Sequence, residues 1–148
     1  MLYWLIFAAL ASATPQQQIA VSSPGAVIDH IALYVANPSI SADFYARVLA
    51  LRPFPQRVSP TMRWLGSDSF QLHLIGGRTK PVDKATKTHF AFRVTNLADE
   101  LRILDQNHVA WSNSDGAPHK VTTRVDGVLQ AYFHDPDGYW IEVNQAPK

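Results

Sequence analysis

The 148-residue chain has no cysteine. That absence excludes disulfides, thiolate zinc sites, a cysteine nucleophile and a lipidated cysteine anchor, so any metal must be held by histidine and carboxylate. Charge of one sign is also lacking: 13 Lys and Arg stand against 12 Asp and Glu, a net charge of +1. No basic stripe breaks this balance, so no nucleic-acid partner is expected. Long apolar runs are missing too. The most apolar stretch, residues 1–11 (MLYWLIFAALA), falls short of the roughly 20 residues a membrane-spanning helix needs. It ends in Ala11-Ser12-Ala13, the small-x-small pattern of an export signal, although no Lys or Arg precedes it. The expectation is a signal peptide over 1–13, a polar lead-in over 14–25 and one domain over 26–148. The mature protein is then periplasmic or secreted, with no stable membrane anchor; a cytoplasmic protein with an apolar extension is the alternative.

What the chain does contain is a copy of itself. Residues 29–37 read DHIALYVAN and residues 88–96 read THFAFRVTN, with His30 and His89 59 positions apart. His, Ala, Val and Asn recur at the same offsets, and both segments alternate as strands do. Asn37 and Asn96 stand where a helix N-cap belongs, and Pro38 suits a first helical turn. Ile40, Phe44, Val48 and Leu51 then recur at helical spacing, as do Leu97, Leu101 and Leu104, which predicts two core-facing stripes. Each copy ends in a strand with one polar side chain among apolar neighbours: Phe70-Gln71-Leu72-His73-Leu74 and Tyr139-Trp140-Ile141-Glu142-Val143. Between helix and last strand there is room for two more strands, over 51–58 and 62–67 in the first copy. In the second they fall over 109–112 with 121–124, then 128–134. The fold class is therefore α+β: two tandem βαβββ modules, about 27–78 and 87–146, forming a cupped, partly open mixed β-sheet barrel.

Six histidines occur. His108, His119 and His134 fall at a helix end, in a loop and beside a turn, and read as surface residues. His30, His73 and His89 sit mid-strand, as does Glu142, where burial without a partner is costly. One such histidine is ordinarily a hydrogen-bonded core residue. Four residues in two repeat-equivalent pairs point instead to a shared ligand set, which a two-fold relation between the modules would aim at one place. Three imidazoles and a carboxylate suit one divalent ion, Zn, Ni, Fe, Co or Mn. By strand parity Tyr34, Arg93, Gln130, Tyr132 and Trp140 share the ligand face and are candidate substrate contacts, with Arg63, Trp64 and Trp111 as a rim.

The segments DHIALYV…ADFYARVL, QLHLI, THFAFRV and YFHDPDGYWIEV resemble the glyoxalase/bleomycin-resistance/dioxygenase, or vicinal oxygen chelate, superfamily over roughly 27–146. The resemblance implies metal ligands on the first and last strand of each module, here His30, His73, His89 and Glu142. His73 stands where glyoxalase I-like members usually have a glutamate implicated in proton transfer, whereas three-ligand members use two His and the Glu. By this resemblance the chain is expected to be a metal-dependent lyase or isomerase. Its small substrate would chelate the ion through adjacent oxygens, with Glu142 as the catalytic base. The alternatives are an extradiol-type ferrous dioxygenase and a non-catalytic small-molecule (antibiotic) binding protein. The resemblance also implies a homodimer.

Overall fold

The structure, a computed structural model, describes residues 25–26, 28–67, 70–83 and 87–147, the side chains of 56–58 excepted. The expected signal peptide, and the lead-in up to residue 24, lie outside them. The first module runs β1 (His30–Val35), α1 (Pro38–Leu49), β2 (Arg52–Ser59), β3 (Met62–Ser67) and β4 (Phe70–Gly76). The second runs β5 (His89–Arg93), α2 (Leu97–Gln106), β6 (Trp111–Ser112), β7 (Thr122–Thr123), β8 (Leu129–His134) and β9 (Trp140–Asn144). The βαβββ repeat is thus present twice, with the edge strand that follows the helix split in the second copy into two short strands that both pair with β8.

Each module makes its own mixed sheet, ordered β1-β4-β3-β2 and β5-β9-β8-β6. The first and last strands of each module pair in parallel, and the others run antiparallel. The two sheets remain separate and open, and no barrel closes among the described residues. No described helix is long and apolar enough to cross a membrane. Asn37 Oδ1 accepts from the backbone N–H groups of Ser39 and Ile40, and Asn96 Oδ1 from that of Asp99, so both helices start at the capping residues the repeat predicts.

The α2 stripe is as expected: Leu97 and Leu104 are buried and Leu101 packs against them. The α1 stripe is rolled. Phe44, Val48 and Leu51 are buried, but Ile40 is 57% exposed and Ser41 and Tyr45 are buried in its stead. The reason lies in the second module. The Asp135-Pro136-Asp137-Gly138 turn docks on the start of α1, where Tyr45 Oη donates to Asp135 Oδ2 (2.7 Å) and Ser41 Oγ to Asp137 Oδ2 (3.1 Å). The Ala36 N–H donates to Asp137 Oδ1 (2.6 Å). The N–H groups of Asp137 and Tyr139 close the turn on Asp135 Oδ1, with Gly138 at φ 94°, a left-handed value that glycine tolerates best. Burial pushes the Asp135 carboxyl above its ordinary range against these donors, and burial reinforced by Asp135 pushes the Tyr45 phenol well up, which keeps it a donor. The turn that punctuates the second repeat is therefore the clamp between the modules.

Replacing Asp137 with Ala removes the acceptor of the part-buried Ala36 N–H and one of two acceptors within reach of the Ser41 hydroxyl, and is expected to cost about 1–3 kcal/mol in a urea titration; a loss below about 0.5 kcal/mol would contradict the clamp. Glu100, buried on α2 with one carboxylate oxygen unpartnered, has its pKa raised by burial from 4.5 to about 7. A folded-state value above the unfolded one means full stability below about pH 4.5, lost as pH rises through about 7. Glu100→Gln is expected to raise stability at pH 8 by about 1–2 kcal/mol and to leave it unchanged at pH 4.5. Equal gains at both pH values would show that ionisation is not the cause.

Candidate functional site

The side chains singled out by the repeat stand on two faces, one per sheet. In the first, Ala32, His73 and Trp64 pair in one cross-strand row, and His30 precedes that row on β1. The His73 ring is sandwiched, 3.7 Å from Trp64 and 4.2 Å from His30 between centroids, with interplanar angles of 11° and 18°. His30 Nδ1 lies 2.7 Å from Asp29 Oδ2. A carboxylate accepts, so Nδ1 carries the proton and Nε2 is left with its lone pair, the arrangement that orients a metal-binding imidazole. His73 Nε2 faces Gln71 Oε1 at 3.1 Å, and burial, with His30 beside it, holds its imidazole below the ordinary value. Tyr34 shares the face but lies half-exposed towards the far end of β1.

The second sheet repeats the pattern: Ala91, Glu142 and Tyr132 form the equivalent row, with His89 ahead of it on β5. His89 Nδ1 stands 2.8 Å from the Lys87 carbonyl, which can only accept, so this nitrogen also holds its proton. Its Nε2 points at Glu142 Oε2, 3.2 Å away. A lone pair facing a carboxylate is repulsive, so the pair requires a cation between or on them, either a proton on Nε2 or a divalent ion. Ligands about 2.1 Å from a shared ion stand about 3.0–3.4 Å apart at octahedral to tetrahedral angles, so the spacing fits. Glu142 is buried and held from behind: Tyr132 Oη donates to Oε2 (2.9 Å) and Asn144 Nδ2 to Oε1 (2.7 Å). Gln130 Nε2 donates in turn to Tyr132 Oη (2.7 Å), while Gln130 Oε1 is buried without a partner. Burial and the Glu142 carboxylate push the Tyr132 phenol up to about 12. Trp140 stacks on Tyr132 with centroids 4.6 Å apart and meets the His89 ring edge-on at 5.4 Å, walling the site.

The four residues come together as two pairs, His30 with His73 and His89 with Glu142. Among the described residues no three His, Asp or Glu side chains gather closely enough to hold one ion. Both imidazoles held through Nδ1 lie near solvent, with 43% of the His30 side chain and 33% of the His89 side chain exposed. Arg93 is exposed at the far end of β5 and donates to the Pro147 carbonyl. Of the expected rim, Trp64 belongs to the ring stack, while Trp111 donates to Asp105 on α2 and Arg63 donates to backbone carbonyls and Ser39, away from the face.

Three neighbours escaped the sequence reading. His134 is not a surface residue: it is half-buried opposite Trp140 on the same face, as the alternation through Gln130 and Tyr132 would have indicated. Asn144 follows Glu142 by the same period. Arg124 lies at the end of β7, where only the hairpin register could reveal it. Its Nη1 sits 3.9 Å from Glu142 Oε1, and Asp126 grips its Nε and Nη2 (3.1 and 2.5 Å). That grip holds the Asp126 carboxyl below its ordinary range.

In zinc-loaded protein, long-range proton–nitrogen spectra are expected to show His89 protonated on Nδ1; protonation on Nε2 alone would contradict the orientation.

The model of the Glyoxalase/Bleomycin resistance protein/Dioxygenase superfamily matches residues 27–143. Similar solved structures include a glyoxalase/dioxygenase from Nostoc punctiforme, 24% identical with TM-score 0.68, over 87% of this chain and 98% of that one. Oxidase ChaP-H1 is 23% identical with TM-score 0.67, covering 83% and 98%. The fosfomycin resistance protein FosX from Listeria monocytogenes is 16% identical with TM-score 0.65, covering 82% and 94%. At these identities the likeness is one of fold. No curated protein sequence matches the chain significantly.

Proposed function

Because the chain belongs to the glyoxalase/bleomycin resistance protein/dioxygenase superfamily, we propose that it is a metal-dependent lyase or isomerase for a small substrate with adjacent oxygens. We propose further that each site is completed by a second copy of the chain. The observation that carries this reading is the pair of half-sites, each with a partly exposed imidazole fixed through Nδ1 and, in the second, an Nε2 that faces the Glu142 carboxylate. Separately neither can saturate a divalent ion; His30 and His73 of one copy opposite His89 and Glu142 of another supply three imidazoles and a carboxylate.

When bound, the ion would polarise the substrate oxygens and stabilise negative charge developing on them. The chain's own groups do the rest. The Lys87 carbonyl and Asp29 fix the imidazole planes. Tyr132 and Asn144 hold Glu142 in place, and the Tyr132 phenol stays protonated at neutral pH. Trp140, stacked on Tyr132 and edge-on to His89, walls this half-site, and the Glu142 carboxylate is the candidate base for a proton on the substrate carbon. The apolar run at 1–11 supports export, and hence a substrate met outside the cytoplasm.

The ring stack favours a second reading. Held between Trp64 and His30, with Nε2 committed to Gln71, His73 is better placed to pack than to coordinate. The remaining His30, His89 and Glu142 form a two-histidine, one-carboxylate set suited to a ferrous dioxygenase.

Wild-type protein is expected to load about one divalent ion per chain, and His30→Ala or His89→Ala alone to abolish tight loading. Unfolding and refolding an equal mixture of the two variants is expected to restore about a quarter of the wild-type sites, because half the dimers then carry one intact site of two. No recovery on mixing would refute the shared site. A wild-type chain that takes up no metal would refute the metal-dependent reading altogether.

A further inference from the structure

Arg124 is placed on the Glu142 face by register. On β7 and β8, Thr122 pairs with Gln130 and Thr123 with Leu129. The Arg124 N–H donates to the Val128 carbonyl, so Arg124 falls on the same side as Gln130, Tyr132 and Glu142. The turn beyond is tight: the Gly127 N–H returns to the Arg124 carbonyl with φ at 84°, and the Val128 N–H donates to Asp126 Oδ1. Asp126 thereby sits where its carboxylate takes the Nε/Nη2 edge of the guanidinium.

This grip leaves Nη1 over, 3.9 Å from Glu142 Oε1, beyond hydrogen-bond range. Among the described residues Nη1 makes no hydrogen bond. A guanidinium held along one edge by a carboxylate is rigid, and its remaining donors are aimed before any ligand arrives. Glu142 has no need of it, since Tyr132, Asn144 and His89 already contact both its oxygens. The charge on the face is also polarised along the strands. Arg93 stands in the row with Asn144 and Gln130, at the same end as Arg124, whereas the other end carries Trp140 and His134. The same Asn144–Gln130 row holds the buried Gln130 Oε1 that lacks a donor.

We propose that the free edge of Arg124 receives an oxyanion group of the substrate, a carboxylate or phosphonate carried beside the two chelating oxygens. The substrate class is then an anion of this kind, oriented with its charged end towards Arg124 and Arg93 and its uncharged end against Trp140. The inference rests on the metal-site reading, and a matched pair of probes separates the two. Acetohydroxamate offers two adjacent oxygens alone; phosphonoacetohydroxamate adds a phosphonate.

On metal-loaded protein, calorimetry is expected to find phosphonoacetohydroxamate bound at least about tenfold more tightly than acetohydroxamate. Arg124→Gln is expected to erase that gain while leaving metal content and acetohydroxamate affinity within about twofold of wild type. Arg124→Lys, which keeps the charge without the fork, is expected to retain part of the gain and guards against a misfolded Gln variant. If acetohydroxamate binds but the phosphonate adds nothing, or the gain survives in both variants, the Arg124 inference is overturned and the metal-site reading stands. If neither hydroxamate binds the metal-loaded protein, both readings fall.

Discussion

Two carboxylates from the second module, Asp135 and Asp137, are buried against the first helix of the other module, and the rest of the molecule is arranged around satisfying them. A buried carboxylate is tolerable only with its lone pairs met. Asp135 receives the Tyr45 hydroxyl and two turn N–H groups; Asp137 receives the Ala36 N–H and the Ser41 hydroxyl. This demand rolls α1 so that Ser41 and Tyr45 face inwards and Ile40 faces out. It also fixes where β9 begins. Tyr139 leaves the turn bonded to Asp135 and exchanges hydrogen bonds through its hydroxyl with the Tyr34 backbone, so the strand bearing Glu142 is registered against β1, the strand bearing His30. The same clamp that joins the modules thus sets their ligand faces.

Those faces are duplicates to the level of single rows. Ala32, His73 and Trp64 in one sheet correspond to Ala91, Glu142 and Tyr132 in the other, each with a histidine one step ahead on its parallel neighbour. The duplication explains why each half-site is individually incomplete. Each module supplies one imidazole oriented through Nδ1 and one companion on the last strand. The companions then diverge: His73 is sealed into a ring stack, and Glu142 is enclosed by donors. A repeated module has two such faces per chain, and in the proposed dimer an isologous pair of copies would set each face opposite its complement without any new element.

Most of the fold was legible because it rests on short-range patterns. The repeated His-x-Ala-x-x-Val frame set both first strands, the asparagines set both helix starts, and alternation set β4, β8 and β9. The candidate ligands were picked out by the same alternation, as polar side chains inside apolar strands. What was illegible depends on long-range register. That the two ligand pairs lie apart in one chain follows from how the modules pack, which no local spacing encodes. Ile40 was assigned to the core because its spacing is helical, but the helix was rotated by carboxylates almost a hundred residues away in the chain. Arg124 was missed because its side of the sheet follows from the Thr122–Gln130 pairing, which the nine intervening loop residues 113–121 disguise. His134 was missed by stopping the alternation one step early.

The proposed function stands or falls on a divalent ion joining the two kinds of half-site across two copies. Element-specific anomalous diffraction from crystals of metal-loaded protein tests this most directly. One strong peak per chain is expected, within bonding distance of His30 Nε2 from one copy and of His89 Nε2 and a Glu142 oxygen from another. A peak confined to one half-site, or metal-loaded crystals with no peak near these residues, would contradict it.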